Sequence, residues 1–187
     1  MYVTPGKRSP KWEGQPQLFE GVNNRQIMQR VADKLHEKGI KHLFTVLPTD
    51  WHDVDLDERV AIANAYQREF KTFGVSIHSN GVRNQTVRGY EVFTSPGQTQ
   101  ADKVATIWAE EMKKSFLNLR PRPDNSDGDF DKEAKFAILR KTSAPWILVE
   151  NEFHTNKEAA ELLMSEAGQE EFANVIVRTI ERVINEL

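Results

Sequence analysis

Residues 146–150 read Trp-Ile-Leu-Val-Glu, four apolar residues in a row followed by a carboxylate. A short continuous apolar run is typical of a strand buried on both faces, as in a parallel sheet covered by helices. Residues 73–78 read Phe-Gly-Val-Ser-Ile-His, an alternating run that also predicts a strand. Both predicted strands end in a residue whose side chain can take part in chemistry.

Strands and helices are predicted to alternate along the chain. This order predicts a single α/β domain with a mostly parallel central sheet, flanked by helices on both faces. Helices are predicted from apolar residues spaced three or four apart, and strands from short apolar or alternating runs. The predicted helices cover residues 20–38, 55–70, 99–116, 158–164 and 170–187, further strands cover 40–47 and 89–94, and 136–139 is left open as strand or loop.

Composition excludes several classes of function. Apolar residues make up 39% of the 187 residues, enough for one core, and no apolar run approaches the ~20 residues of a membrane helix. A net charge of -3 gives no support for binding nucleic acid or an anionic membrane surface, which needs concentrated basic residues. The absence of cysteine rules out disulfides, thiolate zinc sites and cysteine nucleophiles.

His78 and Glu150 are the candidate functional residues that the pattern itself identifies. Ligands of open α/β sheets bind beyond the carboxyl ends of the strands, and each of these residues directly follows a predicted strand. A histidine and a glutamate at the same sheet edge could face one cleft. The alternative stays open that each is an ordinary hydrogen-bonded or solvated residue after a strand.

Two other motif interpretations fail. His36-Glu37 begins like a metalloprotease helix motif, but Ile40 stands where its second histidine is required. The acidic loop over 120–132 contains Gly128 at the position of a calcium-loop glycine. Pro123 and Ala134 then occupy the first and twelfth positions, where oxygen ligands are needed. We interpret this loop as a flexible acidic surface loop, with contact to a substrate as the second interpretation.

Several segments together resemble zinc-dependent N-acetylmuramoyl-L-alanine amidases of the "amidase 3" kind, from bacteria and bacteriophages. Each segment is short, but their order and spacing are specific, and the resemblance runs from about Thr4 to Leu187. The segments are Thr-Pro-Gly-Lys-Arg-Ser-Pro at 4–10, Leu-Phe-Glu at 18–20, Ser-Ile-His-Ser-Asn at 76–80, Leu-Arg-Lys-Thr at 139–142, Leu-Val-Glu at 148–150, and Pro145, Phe153 and Asn156.

The resemblance implies an enzyme and the roles of its residues. It implies a peptidoglycan hydrolase that uses zinc-activated water to cleave the bond between N-acetylmuramic acid and L-alanine. By position, Glu20 and His78 are implied zinc ligands, and Glu150 is the implied catalytic glutamate. Asn80 and Arg140 are implied substrate contacts, together with the 120–132 loop.

The chain departs from the family pattern at its beginning. The first zinc histidine of the family, and the strand before it, precede the segment that Thr4 begins to match. We therefore expect residues 1–187 to form a catalytic domain that is incomplete at its N-terminus relative to the family. Three explanations are open, in this order: the sequence is trimmed or its start is misplaced, the chain is a natural remnant that no longer cleaves, or another chain supplies the missing strand. Neither His52 nor His154 matches a family ligand position, so we expect them to be exposed or to support the site.

The same resemblance sets expectations for location and partners. Peptidoglycan is the expected partner, and the site of action is the cell wall. The polar segment before Trp12 does not resemble a signal peptide, which indicates lysin-type release or a truncated leader. A monomer is expected, with a strand-completing partner as the exception. The alternative function is a catalytically inactive peptidoglycan-binding remnant of such an amidase.

Overall fold

The computed structural model describes residues 7–49, 54–124, 126 and 128–187. Within these residues, six helices and four strands follow the predicted alternation in outline. The helices are α1 (Glu20–Glu37), α2 (Leu56–Glu69), α3 (Gln100–Ser115), α4 (Ala137–Arg140), α5 (Lys157–Met164) and α6 (Glu166–Glu186), and the strands are β1 (Gly74–Asn80), β2 (Glu91–Thr94), β3 (Lys132–Glu133) and β4 (Trp146–Phe153).

The four strands form one sheet in the order β1-β4-β2-β3. β1 and β4 run parallel, as do β2 and β3, whereas β2 and β4 are antiparallel. Two of the three neighbouring pairs are parallel, so the prediction of a mostly parallel sheet is confirmed. β4 lies inside the sheet with apolar cores on both of its faces, which explains why residues 146–149 are continuously apolar.

One face of the sheet shares a large core with α1, α3, α5 and α6. Ile77, Val149 and Val92 form a row across three strands, because Val149 is paired with both of the others. Val149, Trp108 of α3 and Phe172 of α6 are all fully buried in this core. Burial of a large apolar side chain contributes ~1.5–3 kcal/mol, so this layer is the main source of stability.

The opposite face carries a smaller core under α2 and α4. Leu148 lies on this side, because side chains alternate along a strand and its neighbour Val149 belongs to the other core. Leu148 packs with Val60 of α2 and with Ile138 and Leu139 of α4. Helices therefore cover both faces of the sheet, as the fold class requires.

The predicted strand over residues 40–47 is wrong. This segment has no regular secondary structure, and Leu43 and Leu47 are about half exposed. Among the described strands, β1 lies at the sheet edge with β4 as its one neighbour, so no strand pairs with 40–47. An extended run needs a partner for its backbone groups before it becomes a strand, and apolar composition alone does not supply one.

Two helices also differ from expectation. Residues 136–139, left open as strand or loop, instead form most of α4, a single turn too short for periodicity to reveal. α6 begins at Glu166 rather than at residue 170, because the Ser165 hydroxyl caps it and accepts from the backbone N–H of Gly168 at 3.0 Å. No helix in the described ranges is long and apolar enough to cross a membrane.

Candidate active site

Three ionisable side chains lie in one row across the sheet, at the carboxyl ends of β1 and β4. His78 of β1 pairs with Glu150 of β4, which pairs on its other side with Glu91 of β2. Paired positions on neighbouring strands place their side chains on the same face, so all three share one side of the sheet. Because ligands of open α/β sheets bind at this edge, the row is the candidate active site.

Glu20, in the first turn of α1, reaches the histidine of this row. Its Oε1 atom lies 3.0 Å from Nδ1 of His78, and it accepts from the backbone N–H of Ser79 at 3.4 Å. The Glu20 backbone is fixed as well, since its N–H donates to the carbonyl of Lys7 at 2.8 Å. The structure therefore brings together Glu20 and His78, 58 residues apart in the sequence.

The Glu20 carboxylate is held in its charged form. Burial acts to raise its pKa, but the hydrogen bond and charge of His78, the charge of His154 and the Ser79 N–H outweigh burial, so the pKa is lowered. On its other side, the His78 ring lies 3.1 Å from the hydroxyl of Ser76 through Nε2. An ionised carboxylate beside an oriented imidazole is a donor pair that zinc accepts in proteins.

Glu150 lies beside this pair with a carboxyl group that is incompletely bonded. Its Oε2 atom is buried and has no hydrogen-bond partner among the described residues. Burial raises the pKa of Glu150 to about 8, the negative charges of Glu20 and Glu91 act in the same direction, and Lys7 opposes them. A buried carboxyl group with a shifted pKa and an available oxygen is suited to proton transfer.

His154 supports the end of β1. It is 2% exposed, and its Nδ1 lies 2.9 Å from the carbonyl oxygen of Ser79 and 3.1 Å from the hydroxyl of that residue. A Cβ atom added at Gly81 would lie 2.7 Å from Nε2, so the turn after β1 closes tightly on the ring. Exposure of His154 is therefore a wrong expectation, and its contacts fit the supporting role. His52 lies outside the described residues.

Glu152 fixes β4 directly beyond Glu150, and sequence reasoning missed it. Its backbone φ is 75°, within an irregularity where the register of β1 and β4 shifts. Its carboxylate is fully buried and accepts from Arg88 through Nε at 3.0 Å and Nη2 at 2.8 Å, and from the N–H of Gly89 at 2.9 Å. These bonds tie the end of β4 to the segment that leads into β2.

Glu91 anchors the far end of the row and was also missed. It is 5% exposed, and its Oε2 accepts from the Asn80 amide at 2.8 Å. Its Oε1 accepts from Nε of Arg122 at 3.0 Å and from Nζ of Lys132 at 2.8 Å. Asn80, an expected substrate contact, thus donates to Glu91. The sequence signal that could have identified Glu91 is its position as a lone carboxylate inside a short strand of β-favouring residues.

Arg140 is the expected site residue that the structure does not join to the others. It is the last residue of α4 and is exposed. In the described part of the chain, no hydrogen bond or ion pair links its side chain to Glu20, His78 or Glu150. A substrate contact for Arg140 stays a prediction, whereas the 120–132 loop does send two cationic side chains to the row.

The donors at this edge match part of a zinc centre. Across the described ranges, no three His, Cys, Asp or Glu side chains are grouped to hold a metal ion. Glu20 and His78 nevertheless supply a carboxylate oxygen and an imidazole nitrogen, two ligand types that zinc prefers, already 3.0 Å apart. Catalytic zinc takes three protein ligands, so the residues present fit two of the three positions.

Known sequences match most of this chain. The family described as N-acetylmuramoyl-L-alanine amidase matches residues 4–182, which include every member of the row and Glu20. The uncharacterized protein YqiI of Bacillus subtilis (strain 168) is 32% identical over 166 residues, 88% of this chain and 74% of that protein. Both matches extend over most of the chain rather than over one motif.

Solved structures share the fold. N-acetylmuramoyl-L-alanine amidase AmiC2 of Nostoc punctiforme is 28% identical, with a TM-score of 0.75 over 97% of this chain and 94% of that chain. The amidase Ami1 of Mycobacterium smegmatis, at 22% identity, shows likeness of fold alone, with a TM-score of 0.77 over 99% of this chain and 91% of its own. From the sequence match over nearly its whole length, this chain belongs to the N-acetylmuramoyl-L-alanine amidase family.

Proposed function

We propose that residues 1–187 form the catalytic domain of a peptidoglycan hydrolase that cleaves the amide bond between N-acetylmuramic acid and L-alanine. The observation that carries the proposal is the contact of Glu20 with His78 beside Glu150, whose buried Oε2 is unpaired among the described residues. Membership of the amidase family supports the substrate. The domain acts on the cell wall and works as a monomer.

Zinc is the metal in this proposal, and Glu20 and His78 would hold it. The lowered pKa of Glu20 keeps an ionised ligand at the site, despite the burial that opposes ionisation. When bound, zinc activates water and polarises the amide carbonyl. Catalytic zinc takes a third protein ligand, and the described residues group no third His, Cys, Asp or Glu side chain with these two.

Glu150 is the catalytic residue in this proposal. As a water molecule attacks the carbonyl carbon of the lactyl group, Glu150 takes one proton from that water. The carbon–nitrogen bond then breaks, and Glu150 gives that proton to the departing nitrogen of L-alanine. The products are a free lactyl carboxylate on the sugar and a peptide with a free amino terminus, so atoms and charges balance.

A second candidate is a catalytically inactive peptidoglycan-binding protein derived from such an enzyme. The observation in its favour is that the described residues bring together two metal-ligand side chains rather than three. This candidate keeps the fold and the surface around the row but lacks a complete catalytic centre. It predicts retention on cell walls without cleavage.

The experiment that tests the proposal is incubation of the 187-residue chain with purified cell walls, with and without added zinc. New amino termini are labelled and identified. The proposal expects zinc-dependent release of peptides that begin with L-alanine, no release by Glu150→Gln, and full release by Glu161→Gln, an exposed glutamate of α5. Sedimentation with walls without release of peptides would favour the inactive binder. The absence of both sedimentation and release would overturn both candidates.

A further inference from the structure

Two cations from opposite ends of the 120–132 loop meet beside the catalytic row. Arg122 and Lys132 both donate to Oε1 of Glu91, at 3.0 Å and 2.8 Å. Each also lies against an aromatic ring: the Arg122 guanidinium is 5.3 Å from the centre of Phe153, and the Lys132 ammonium is 6.0 Å from that of Phe93. The positions of both cations are therefore fixed by two separate contacts.

Arg122 and Lys132 form a cation cluster around Glu91, and this cluster carries more positive charge than Glu91 neutralises. Two cations share one carboxylate, and the other oxygen of Glu91 already accepts from the Asn80 amide. Arg122 uses Nε alone of its nitrogens, and Lys132 uses one of its three hydrogens, for hydrogen bonds to the described residues. Their side chains are 34% and 27% exposed, so the remaining donors are open to a ligand.

The two cations lie one strand away from Glu150, because the Glu91 that holds them is its strand partner. Glu91 is the antiparallel partner of Glu150, and the Cα atoms of such partners are roughly 4.5–5.5 Å apart. Lys132 pairs with Phe93, two residues beyond Glu91, so it lies on the same face of the sheet. An extended peptide advances ~3.5 Å per residue, so a peptide whose scissile bond lies at Glu150 would bring the residue after L-alanine within reach of cations held on the neighbouring strand.

We propose that Arg122 and Lys132 bind a free carboxylate on the residue that follows L-alanine in the substrate peptide. This inference rests on the proposed amidase function. The sugar side offers no such group near the site, because the lactyl carboxyl is consumed in the scissile amide, whereas a peptide can carry free carboxylates. Glu91 positions the two cations, and its own charge is satisfied by them and by Asn80.

The test compares two substrates that differ in one group. N-acetylmuramoyl-L-alanyl-D-glutamate carries a free carboxylate at the residue in question, and its carboxamide analogue does not. We expect wild-type kcat/KM to be roughly 10- to 100-fold higher for the acid, the size that charge-assisted hydrogen bonds give. Arg122→Gln should lower kcat/KM for the acid towards that for the carboxamide, mainly through KM, and so remove most of the preference.

Matched variants separate charge from folding. Arg122→Lys keeps the charge and should keep part of the preference, whereas Lys103→Gln removes an exposed charge of α3 and should keep all of it. Thermal unfolding of each variant checks that the fold persists. Equal cleavage of acid and carboxamide by the wild type, or equal losses on both substrates in Arg122→Gln, would overturn the inference.

A binding measurement decides the inference even without turnover. Calorimetry with Glu150→Gln, in which the cation cluster is intact, compares the affinities of the two compounds. We expect tighter binding of the acid by at least tenfold, and loss of the difference in the Glu150→Gln, Arg122→Gln double variant. If the wild type cleaves neither compound but still binds the acid more tightly, the proposed amidase activity is wrong and carboxylate recognition stands. Equal affinities would refute carboxylate recognition alone.

Discussion

His78 and Glu150 occupy paired positions on the parallel strands β1 and β4, and the register shifts directly after them, so that Asn80 pairs with Phe153. Neighbouring strands lie ~4.8 Å apart, so the two side chains leave the same face at close range. The extra residue in β4 lets Glu152 turn towards Arg88 without displacing Glu150. The proposed zinc ligand His78 and the proposed catalytic residue Glu150 therefore lie at the last regularly paired position of the two strands.

Replacement of Glu150 by glutamine tests proton transfer without changing side-chain shape. We expect kcat on cell walls to fall by roughly 10²–10⁴, the usual contribution of a general acid–base residue. The free energy of unfolding should not fall, because burial already disfavours the charged carboxylate and raises the pKa of Glu150 to about 8. Turnover and urea unfolding measure the two effects, and retention of most activity would exclude Glu150 as the catalytic residue.

Removal of Glu20 tests the metal-ligand pair. Glu20→Ala deletes the carboxylate that contacts His78 at 3.0 Å, so we expect zinc affinity to fall at least tenfold. Elemental analysis after dialysis measures bound zinc in the variant, the wild type and Glu13→Ala, an exposed acidic residue before α1. Equal zinc content in all three chains would show that Glu20 is not a ligand.

The sequence predicted those parts of the fold that hydrophobic burial determines. Residues 146–149 are apolar because β4 is covered on both faces, so this strand could be recognised from composition. Residues 40–47 are also rich in apolar residues, yet they form no strand, because strand formation depends on a hydrogen-bonding neighbour elsewhere in the structure. Local pattern carries no information about whether such a neighbour exists.

The residues of the candidate site also fall into those that the sequence pattern identified and those that it did not. His78 and Glu150 could be found from their position after predicted strands, whereas Glu20 was identified through family resemblance alone. Glu91 was not identified, and Arg122, 31 residues away, was included only as part of the 120–132 loop. Their contact depends on how the 120–132 loop returns to β2, and no periodicity within one element reports the path of a loop.

Gly89 is expected to be essential for placing Glu91. Its φ is +124°, and an added Cβ would lie 2.2 Å from the carbonyl oxygen of Arg120, a backbone atom that cannot move aside cheaply. Gly89→Ala should therefore destabilise the protein by more than the ~1–3 kcal/mol of backbone strain alone. Gly97→Ala is the matched control, since φ is +90° but no heavy atom lies within 4 Å.

Urea unfolding of the two glycine variants measures this difference. We expect Gly89→Ala to lose clearly more stability than Gly97→Ala, and to lose amidase activity as well, because β2 begins two residues later at Glu91. Equal destabilisation of both variants would mean that the Arg120 carbonyl is free to shift. In that case the segment before β2 is looser than its contacts indicate.

Asp131 is expected to make stability depend on pH. It is 2% exposed, its Oδ1 has no hydrogen-bond partner in the described part of the chain, and Oδ2 accepts from the Thr94 hydroxyl. Burial raises the pKa of Asp131 from an ordinary 3.8 to about 6, aided by the negative charges of Asp129 and Asp102 and opposed by the Thr94 hydrogen bond.

The direction of this pH dependence follows from proton binding. Between pH 3.8 and about 6 the folded chain holds the Asp131 proton more tightly than the unfolded chain, so the group's contribution to stability is lost as pH rises. An asparagine side chain at this position cannot ionise. The unfolding free energy of Asp131→Asn, relative to wild type, should therefore increase by roughly 1–3 kcal/mol between pH 4 and pH 7.

Urea unfolding at several pH values measures this increase, and Asp124→Asn provides a control of opposite sign. Hydrogen bonds from Ser126 lower the pKa of Asp124, so its ionised form stabilises the fold above pH 3.8. The Asp124→Asn variant should lose stability relative to wild type as pH rises towards 3.8, and the difference should change little between pH 4 and pH 7. A flat difference for Asp131→Asn would show that water or a cation reaches Oδ1 and stabilises the charged form.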